Sequence, residues 1–446
     1  MLQSSGFRKY LTQTSWLLVD RVLRLVSTLA VGILITRYLG AERMGQWNYA
    51  GALVGLFSFL TYLGLNEIMV RDLVRHPLRR QELMGTGLLL QVLGTALLLV
   101  SVMAIAVWKD VRTDTLWLVL MLALSEMLKP AMVFEYYYMA EVRGKVIAQL
   151  NIVQTLVGAA LKVALVLCGA HLVLFGAALI VENGVWALLL VRRYQVEGQV
   201  LSAFRATRRM AVLLLKQAWP VVVYGIALNL QLKVDQVMLF DILSRLNSEE
   251  IANNVVGQYG VAVKMVEAAS ILPVILQASF APAIARAKVQ DPALYESRMI
   301  NLYRLMFLLC VITAVPLYFV AEPAIVLLYG EEFRYAGALL AMFSIRLIFP
   351  FMGVAKTSFI TNEGLFKYSL LTAVVGAVIN VGMNYVLIPL MGAVDPQKGA
   401  EGALWATMVS FVVGIFLMDL FYEKTRRNFR WMVGAMMSFW RLRGVS

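Results

Sequence analysis

The chain reads as an all-α integral membrane protein: about twelve transmembrane helices in two parallel-repeat six-helix lobes around a central cationic cleft. Three observations predict this. The sequence is 61% hydrophobic and only 15% charged, with a mean hydropathy of +0.75, whereas a soluble domain carries roughly 25% charged residues. Apolar runs of about 20 residues, enough to cross about 30 Å of hydrocarbon, recur along the whole chain. Several of these runs carry charges well inside them, where each costs at least about 2.5–3.5 kcal/mol unless it faces something polar.

The expected spans are 16–36, 47–66, 84–108, 115–138, 146–168, 172–191, 219–243, 255–280, 303–322, 336–355, 368–390 and 402–422. Before the first of them, "MLQSSGFRKYLTQTSW" has no signal-peptide cleavage pattern, so the first run reads as a retained helix. Of the 40 Lys and Arg residues, 25 fall in one set of connections, including Arg8, Lys9, Arg79, Arg208, Lys356, Arg441 and Arg443, and 7 in the other. Positively charged loops stay on the cytoplasmic side, so both termini are expected there. Loop placement explains the net charge of +13 without nucleic acid. The two Cys and two His exclude a disulfide scaffold and a Cys/His metal cluster, and Cys168 and Cys310 lie in apolar runs.

The longest interior polar stretch, 192–218, divides the spans six and six. It contains "RRYQVEGQVLSAFRATRR", too polar to span and basic enough to lie along an anionic leaflet. The expected organisation is therefore a lobe over 1–195, a cytoplasmic basic linker over 196–218, a second lobe over 219–425 and a cytoplasmic basic tail over 426–446. The halves also echo each other. "MGQWNYAGALVG" (44–55) enters the second span and "VGQYGVAVKMVE" (256–267) the eighth, both reading Gly-Gln-aromatic from Gly45 and Gly257. "GAALKV" (158–163) in the fifth span answers "GAVINV" (376–381) in the eleventh. Matches in register with six spans per half indicate a parallel duplication.

Eight cations fall inside spans: Arg21, Arg24, Lys129, Lys162, Lys233, Lys264, Arg304 and Arg346. Asp20, Glu126, Glu182, Asp235, Glu267 and Asp419 are the acidic counterparts. Arg304 and Asp419, near helix ends, are expected to snorkel. Glu126 and Lys129 are three apart and positioned to neutralise each other; Lys162 and Glu182 are positioned to pair across neighbouring helices. Arg24 lies about 12 Å into the first span, too deep for easy escape. It shares a face with Arg21 and lies four residues from Asp20. Lys233 and Lys264 are similarly deep, so the first, seventh and eighth helices are expected to line a common cavity. In "NLQLKVDQVMLFD" (229–241), Lys233 and Asp235 are about 200° apart around the helix. Lys233 is assigned to the cavity and Asp235 to an inter-helix contact or ion-coupling position, with the reverse assignment nearly as well supported.

Several stretches resemble one family: "TRYLGAERMGQWNYA" (36–50), "LGLNEIMVRDLVR" (63–75), "WPVVVYGIALNLQLKVDQVML" (219–239), "VGQYGVAVKMVEAASILPVILQASFAPAIARA" (256–287) and "LLYGEEFRYAGALLAMFSI" (327–345). In this order they resemble polysaccharide repeat-unit flippases (O-antigen, capsule or exopolysaccharide) of the multidrug/oligosaccharidyl-lipid/polysaccharide exporter superfamily. The resemblance implies a V-shaped pair of lobes with helices one, two, seven and eight lining the cleft. It implies flipping of undecaprenyl-pyrophosphate-linked oligosaccharide from inner to outer leaflet, beside a polysaccharide polymerase or chain-length regulator. Related peptidoglycan-precursor flippases use cavity arginines on the first, second and eighth helices; Arg21 or Arg24 and Lys264 fit that placement, but the second expected span holds no Arg or Lys.

The expected substrate-binding residues are thus Arg21, Arg24, Lys233 and Lys264, because Arg offers a planar donor fork and Lys a point charge to pyrophosphate. Asp20, Asp235 and Glu267 are the ion-coupling candidates for H+ or Na+, since no P-loop pattern provides for ATP. No catalytic residue, metal or cofactor is expected. Two rivals are a multidrug or cation antiporter of the same superfamily, whose cavity should be acidic or aromatic, and a membrane-embedded polysaccharide enzyme, which should carry large polar outer loops.

Overall fold

The computed structural model describes the backbone of residues 5–440 and the side chains of 15–440. Arg441 and Arg443, and the side chains of Arg8 and Lys9, counted above among the loop cations, lie outside the described residues. Every regular element among the described residues is helical, and the chain divides into two compact units, Met1–Asn229 and Leu230–Ser446.

The first unit opens with α1 (Ser5–Leu56), which breaks at Gly40, where φ is 73°. That left-handed value is open to glycine at little cost and strains any residue with a Cβ. Two short helices follow, α2 (Phe59–Tyr62) and α3 (Asn66–Arg75). Between them Leu63 and Gly64 are both left-handed. A Cβ on Gly64 would meet the Val221 side chain at 2.8 Å, so glycine here permits both the turn and the contact. Then come α4 (Arg80–Trp108), α5 (Thr113–Glu126), α6 (Met132–Ala140), α7 (Gly144–Leu167), α8 (Leu172–Val196) and the start of α9 (Arg208–Leu246).

The second unit takes the rest of α9, then α10 (Glu249–Ala269), α11 (Ile271–Gln290), α12 (Pro292–Tyr329), α13 (Arg334–Arg346), α14 (Ile348–Glu363), α15 (Phe366–Gly392), α16 (Pro396–Phe411), a π-helical stretch (Val412–Leu417), α17 (Met418–Phe421) and α18 (Glu423–Met437). Two of these helices start alike. Asp291 and Asp395 precede a proline at the first helical position and accept from the next backbone N–H, of Ala293 and Gln397, each at 2.9 Å. Aspartate satisfies an otherwise unpaired donor, and proline has no N–H to leave unpaired.

Among the described residues, ten helical stretches are long and apolar enough to cross a membrane. The protein is therefore a multi-pass membrane protein, but the expected count of about twelve is not reproduced. The first two expected spans, 16–36 and 47–66, are not among the ten. They lie in α1 and the broken run after it, where the turns at 57–58 and 63–65 interrupt the second span.

Two expected boundaries also change. The polar stretch 196–218 is helix from Arg208 onward, and the part before it is docked. Phe204 packs on Phe134 and Tyr194, with ring centroids 6.1 and 5.9 Å apart, and Arg205 N donates to Gln81 O. Its aromatic residue, hidden among arginines in the sequence, completes a core of Phe134, Tyr137, Tyr138 and Tyr194. The stretch expected as a basic tail from 426 belongs instead to α18, whose Thr425, Asn428, Met432 and Ala435 are buried. That spacing puts a small apolar and polar stripe on one helical face and the arginines on the other.

Candidate functional site

Three groups of buried polar residues lie between helices, one in the first unit and two in the second.

In the first unit a cavity of about 800 Å³ is lined by Arg24, Lys129, Arg71, Glu67, Glu135 and a set of amides and aromatics including Tyr62, Asn151, Gln154, Asn183 and Trp186. Its cations are held from behind. Asp20, buried, pairs with Arg24 at 3.3 Å and accepts from Asn151 Nδ2 at 3.3 Å. Asn151 in turn accepts from Trp186 Nε1 at 2.9 Å. Lys129 contacts Glu126 at 2.5 Å, and the other Glu126 carboxylate oxygen accepts from Thr61 at 3.2 Å. The pairing of Glu126 with Lys129 follows from their three-residue spacing. Lys162 and Glu182 pair across α7 and α8 at 2.6 Å. Arg21 is exposed and lies outside the set that lines the cavity.

Glu67, Arg71 and Glu135 are charged cavity residues absent from the set expected from the sequence. Arg71 lies beyond the second expected span, 47–66, and so counts in the sequence as a loop cation. The chain instead resumes as α3, with Ile68, Met69, Asp72 and Leu73 buried and Glu67 and Arg71, four apart, on the cavity side. That period was legible in "NEIMVRDLVR". Glu135 stands alone in "MVFEYYYM", and a lone carboxylate in an intramembrane run is a signal in itself. The wall thus carries both signs of charge: Arg24, Arg71 and Lys129 against Glu67 and Glu135.

In the second unit Asp235 is buried, 3% exposed. It accepts from Asn384 Nδ2 at 2.7 Å, from Tyr259 Oη at 3.0 Å and from Thr407 Oγ1. These donors come from α15, α10 and α16, so α9 is tied to three neighbours through one carboxylate. Asn380 adds bonds to Thr407 and Asn384, at 3.2 and 3.3 Å. Among the described residues none of the ion pairs includes Asp235, and the buried Oδ1 of Asn384 has no hydrogen-bond partner. Gln231, one turn earlier on the same face, donates to Ser410 on α16 at 3.2 Å. Lys233 points elsewhere, pairing with Glu267 of α10 at 3.3 Å, with both side chains partly exposed. Lys264 is exposed and lies three residues before Glu267 on α10.

The third group corrects two assignments. Asp419, expected to snorkel, is fully buried, and Lys356, expected in a loop, is 9% exposed in α14 and bonded to it at 2.6 Å. Tyr368 and Asn428 also donate to Asp419, at 2.6 and 2.8 Å, and Lys356 donates to the Ile415 carbonyl in the π-helical stretch at 2.8 Å. The packed α18 covers the carboxylate, which removes its route to water. Arg304 bonds Asn301 and Ser438, each at 3.2 Å.

Apolar spanning helices in two units, with ionic and amide groups buried among the helices of each, define an all-α multi-pass membrane fold, and the solved structures of similar shape agree. An inward-facing multidrug resistance MATE family transporter of the MOP superfamily matches with a TM-score of 0.66 at 14% identity, over 94% of this chain and 96% of that one. Lipid II flippase MurJ in an inward closed conformation matches with a TM-score of 0.65 at 10% identity, over 96% and 92%. A eukaryotic MATE transporter matches at 0.58 and 13%, over 96% and 100%. Among curated proteins no sequence match is found. The chain belongs to the polysaccharide biosynthesis protein family, whose model matches residues 11–288.

Proposed function

We propose that this protein is a non-enzymatic flippase that carries undecaprenyl-pyrophosphate-linked oligosaccharide repeat units from the inner to the outer leaflet of the bacterial cytoplasmic membrane. The observation that carries this reading is the first unit's cavity, where Arg24, Arg71 and Lys129 meet an amide-rich wall. A pyrophosphate cannot enter hydrocarbon as an anion, and guanidinium and ammonium donors solvate it. The amides of Asn151, Gln154 and Asn183 suit sugar hydroxyls, which both donate and accept.

Transport runs on ion exchange, with Asp235 as the coupling carboxylate ahead of Asp20 and Glu267. Asp20 and Glu267 each have a cationic partner, whereas Asp235 accepts from the neutral donors Asn384, Tyr259 and Thr407. A proton there, or Na+ held by Asp235, Thr407 and the open Asn384 oxygen, neutralises a buried charge. All-oxygen ligation suits a hard cation. An ion drives alternation only if it binds the two states differently, and a carboxylate joining four helices provides that difference when any one of them moves.

The rival, a cation antiporter, draws on Glu67 and Glu135 in the same cavity. Proteoliposomes separate the two. With a fluorescent lipid-linked oligosaccharide, the wild-type chain exposes the label to an external quencher faster than empty vesicles do. Efflux of a cationic dye, with no movement of the labelled lipid, would overturn the flippase reading.

A further inference from the structure

A second pocket in the first unit, about 340 Å³, lies where α3, the turn Pro77–Arg79 and α9 meet. Its wall carries Arg71, Arg75, His76, Arg79 and Gln217, with Asp72 the one carboxylate. Asp72 is engaged by Arg71 Nε at 2.8 Å, and Arg71 also donates to Gln217. The side chains of Arg75, His76 and Arg79 have no hydrogen-bond or ion-pair partner among the described residues. Three guanidiniums with one carboxylate among them leave an excess of donors facing one small space. Arg forks match phosphate oxygens in pairs.

Two further features say what sort of phosphate fits. Beside the pocket, the same turn raises Leu78 fully out of the protein, and Val74, one turn before it, is 60% exposed. Apolar side chains projecting next to arginines match the boundary between acyl chains and headgroups. In addition, Arg71 lines both this pocket and the larger cavity that holds Arg24, so the two anion-facing spaces adjoin.

We propose that this pocket binds the phosphate or pyrophosphate of a lipid headgroup, as a loading site from which the group passes by way of Arg71 to the Arg24 cavity. The loading role rests on the flippase reading; the binding site itself does not. Arg75, His76 and Arg79 hold the phosphate, while Leu78 and Val74 sit against the first methylenes of the lipid tail.

The test uses the full chain carrying Arg24→Ala, which weakens the deeper site, in phosphatidylcholine nanodiscs, with undecaprenyl pyrophosphate as probe and native mass spectrometry as readout. Arg75→Gln/Arg79→Gln lowers affinity by roughly tenfold or more, the loss expected for one or two charge-assisted bonds. Arg75→Lys/Arg79→Lys restores part of it. Leu78→Ser weakens the lipid but leaves inorganic pyrophosphate binding unchanged. Equal lipid binding with and without the two arginines overturns the site. Inorganic pyrophosphate binding as tightly as the lipid, with Leu78→Ser neutral toward both, overturns its assignment to a lipid. Lipid binding that depends on Arg75 and Arg79, in a protein whose wild type moves no lipid-linked oligosaccharide, upholds the site while the flippase reading fails.

Discussion

Asn384 donates to Asp235 at 2.7 Å although 149 residues separate them in the chain. The bond joins α15 to α9 and leaves the Asn384 carbonyl oxygen buried without a partner. Removing the charge of Asp235 while keeping its shape isolates the coupling role. In proteoliposomes carrying labelled lipid-linked oligosaccharide, Asp235→Asn flips the lipid at a rate indifferent to imposed pH or sodium gradients, while wild type responds to one of them. Wild-type gradient dependence in the variant would remove Asp235 from the mechanism. Indifference of wild type to both gradients would end the ion-exchange reading.

Arg24 tests the cavity. Its pair with Asp20 is half open to solvent, with the arginine 47% exposed, and such pairs contribute about 0–1 kcal/mol to stability. Arg24→Ala is therefore expected to leave the protein inserted and abundant by immunoblot, yet to abolish polymer export. Arg24→Lys recovers part of the export, because charge returns but the planar fork does not. Full export by the Arg24→Ala chain would show that this cation does not handle substrate.

Lys356 and Asp419 predict the opposite outcome. Both are buried and in contact at 2.6 Å, so truncating the lysine leaves a carboxylate without its counter-charge. Lys356→Ala should cost about 3–5 kcal/mol, read as a fall in Tm of the detergent-solubilised protein. The paired change Lys356→Met/Asp419→Asn should recover much of that loss, since no uncompensated charge remains. A Tm for Lys356→Ala within a degree of wild type would mean the pair does not hold α14 to α17 and α18.

Glu197, at the end of α8, provides a pH handle outside the spanning stretches. Burial raises its carboxyl, but the hydrogen bonds and charge of Arg143 and the nearby Arg193 more than reverse this, so it sits below the usual range. Its contacts with Arg143 are 2.6 and 2.7 Å. A carboxyl depressed by folding stabilises the folded state above its unfolded pKa of about 4.3, and that contribution is lost as pH falls through the lower folded value. Tm measured from pH 6 downward should therefore fall less steeply for Glu197→Gln than for wild type below about pH 4.3. Parallel curves would show that the arginines do not depress this group.

The sequence by itself determined the class of protein, because hydrocarbon imposes length and apolarity on each spanning run separately. The ten recognised spanning stretches were legible for that reason, as were the pairs Glu126 with Lys129 and Asp20 with Arg24, whose spacing along one helix sets their distance. Of the groups joined across helices, the pair Lys162 with Glu182 was legible too, but the partners of Asp235 and Asp419 were not. Asp235 and Asp419 are both aspartates inside expected spans, yet one is met by neutral amide and hydroxyl donors and the other by a lysine. Only packing decides that Lys356, 63 residues from Asp419, and Thr407, 172 residues from Asp235, fill the space beside them. Arg71 changed from loop cation to cavity wall because the chain turns at Leu63 and Gly64 and then resumes its helix. A hydropathy window averages over such a turn, whereas the folded chain uses it to bring a charge back to the cavity.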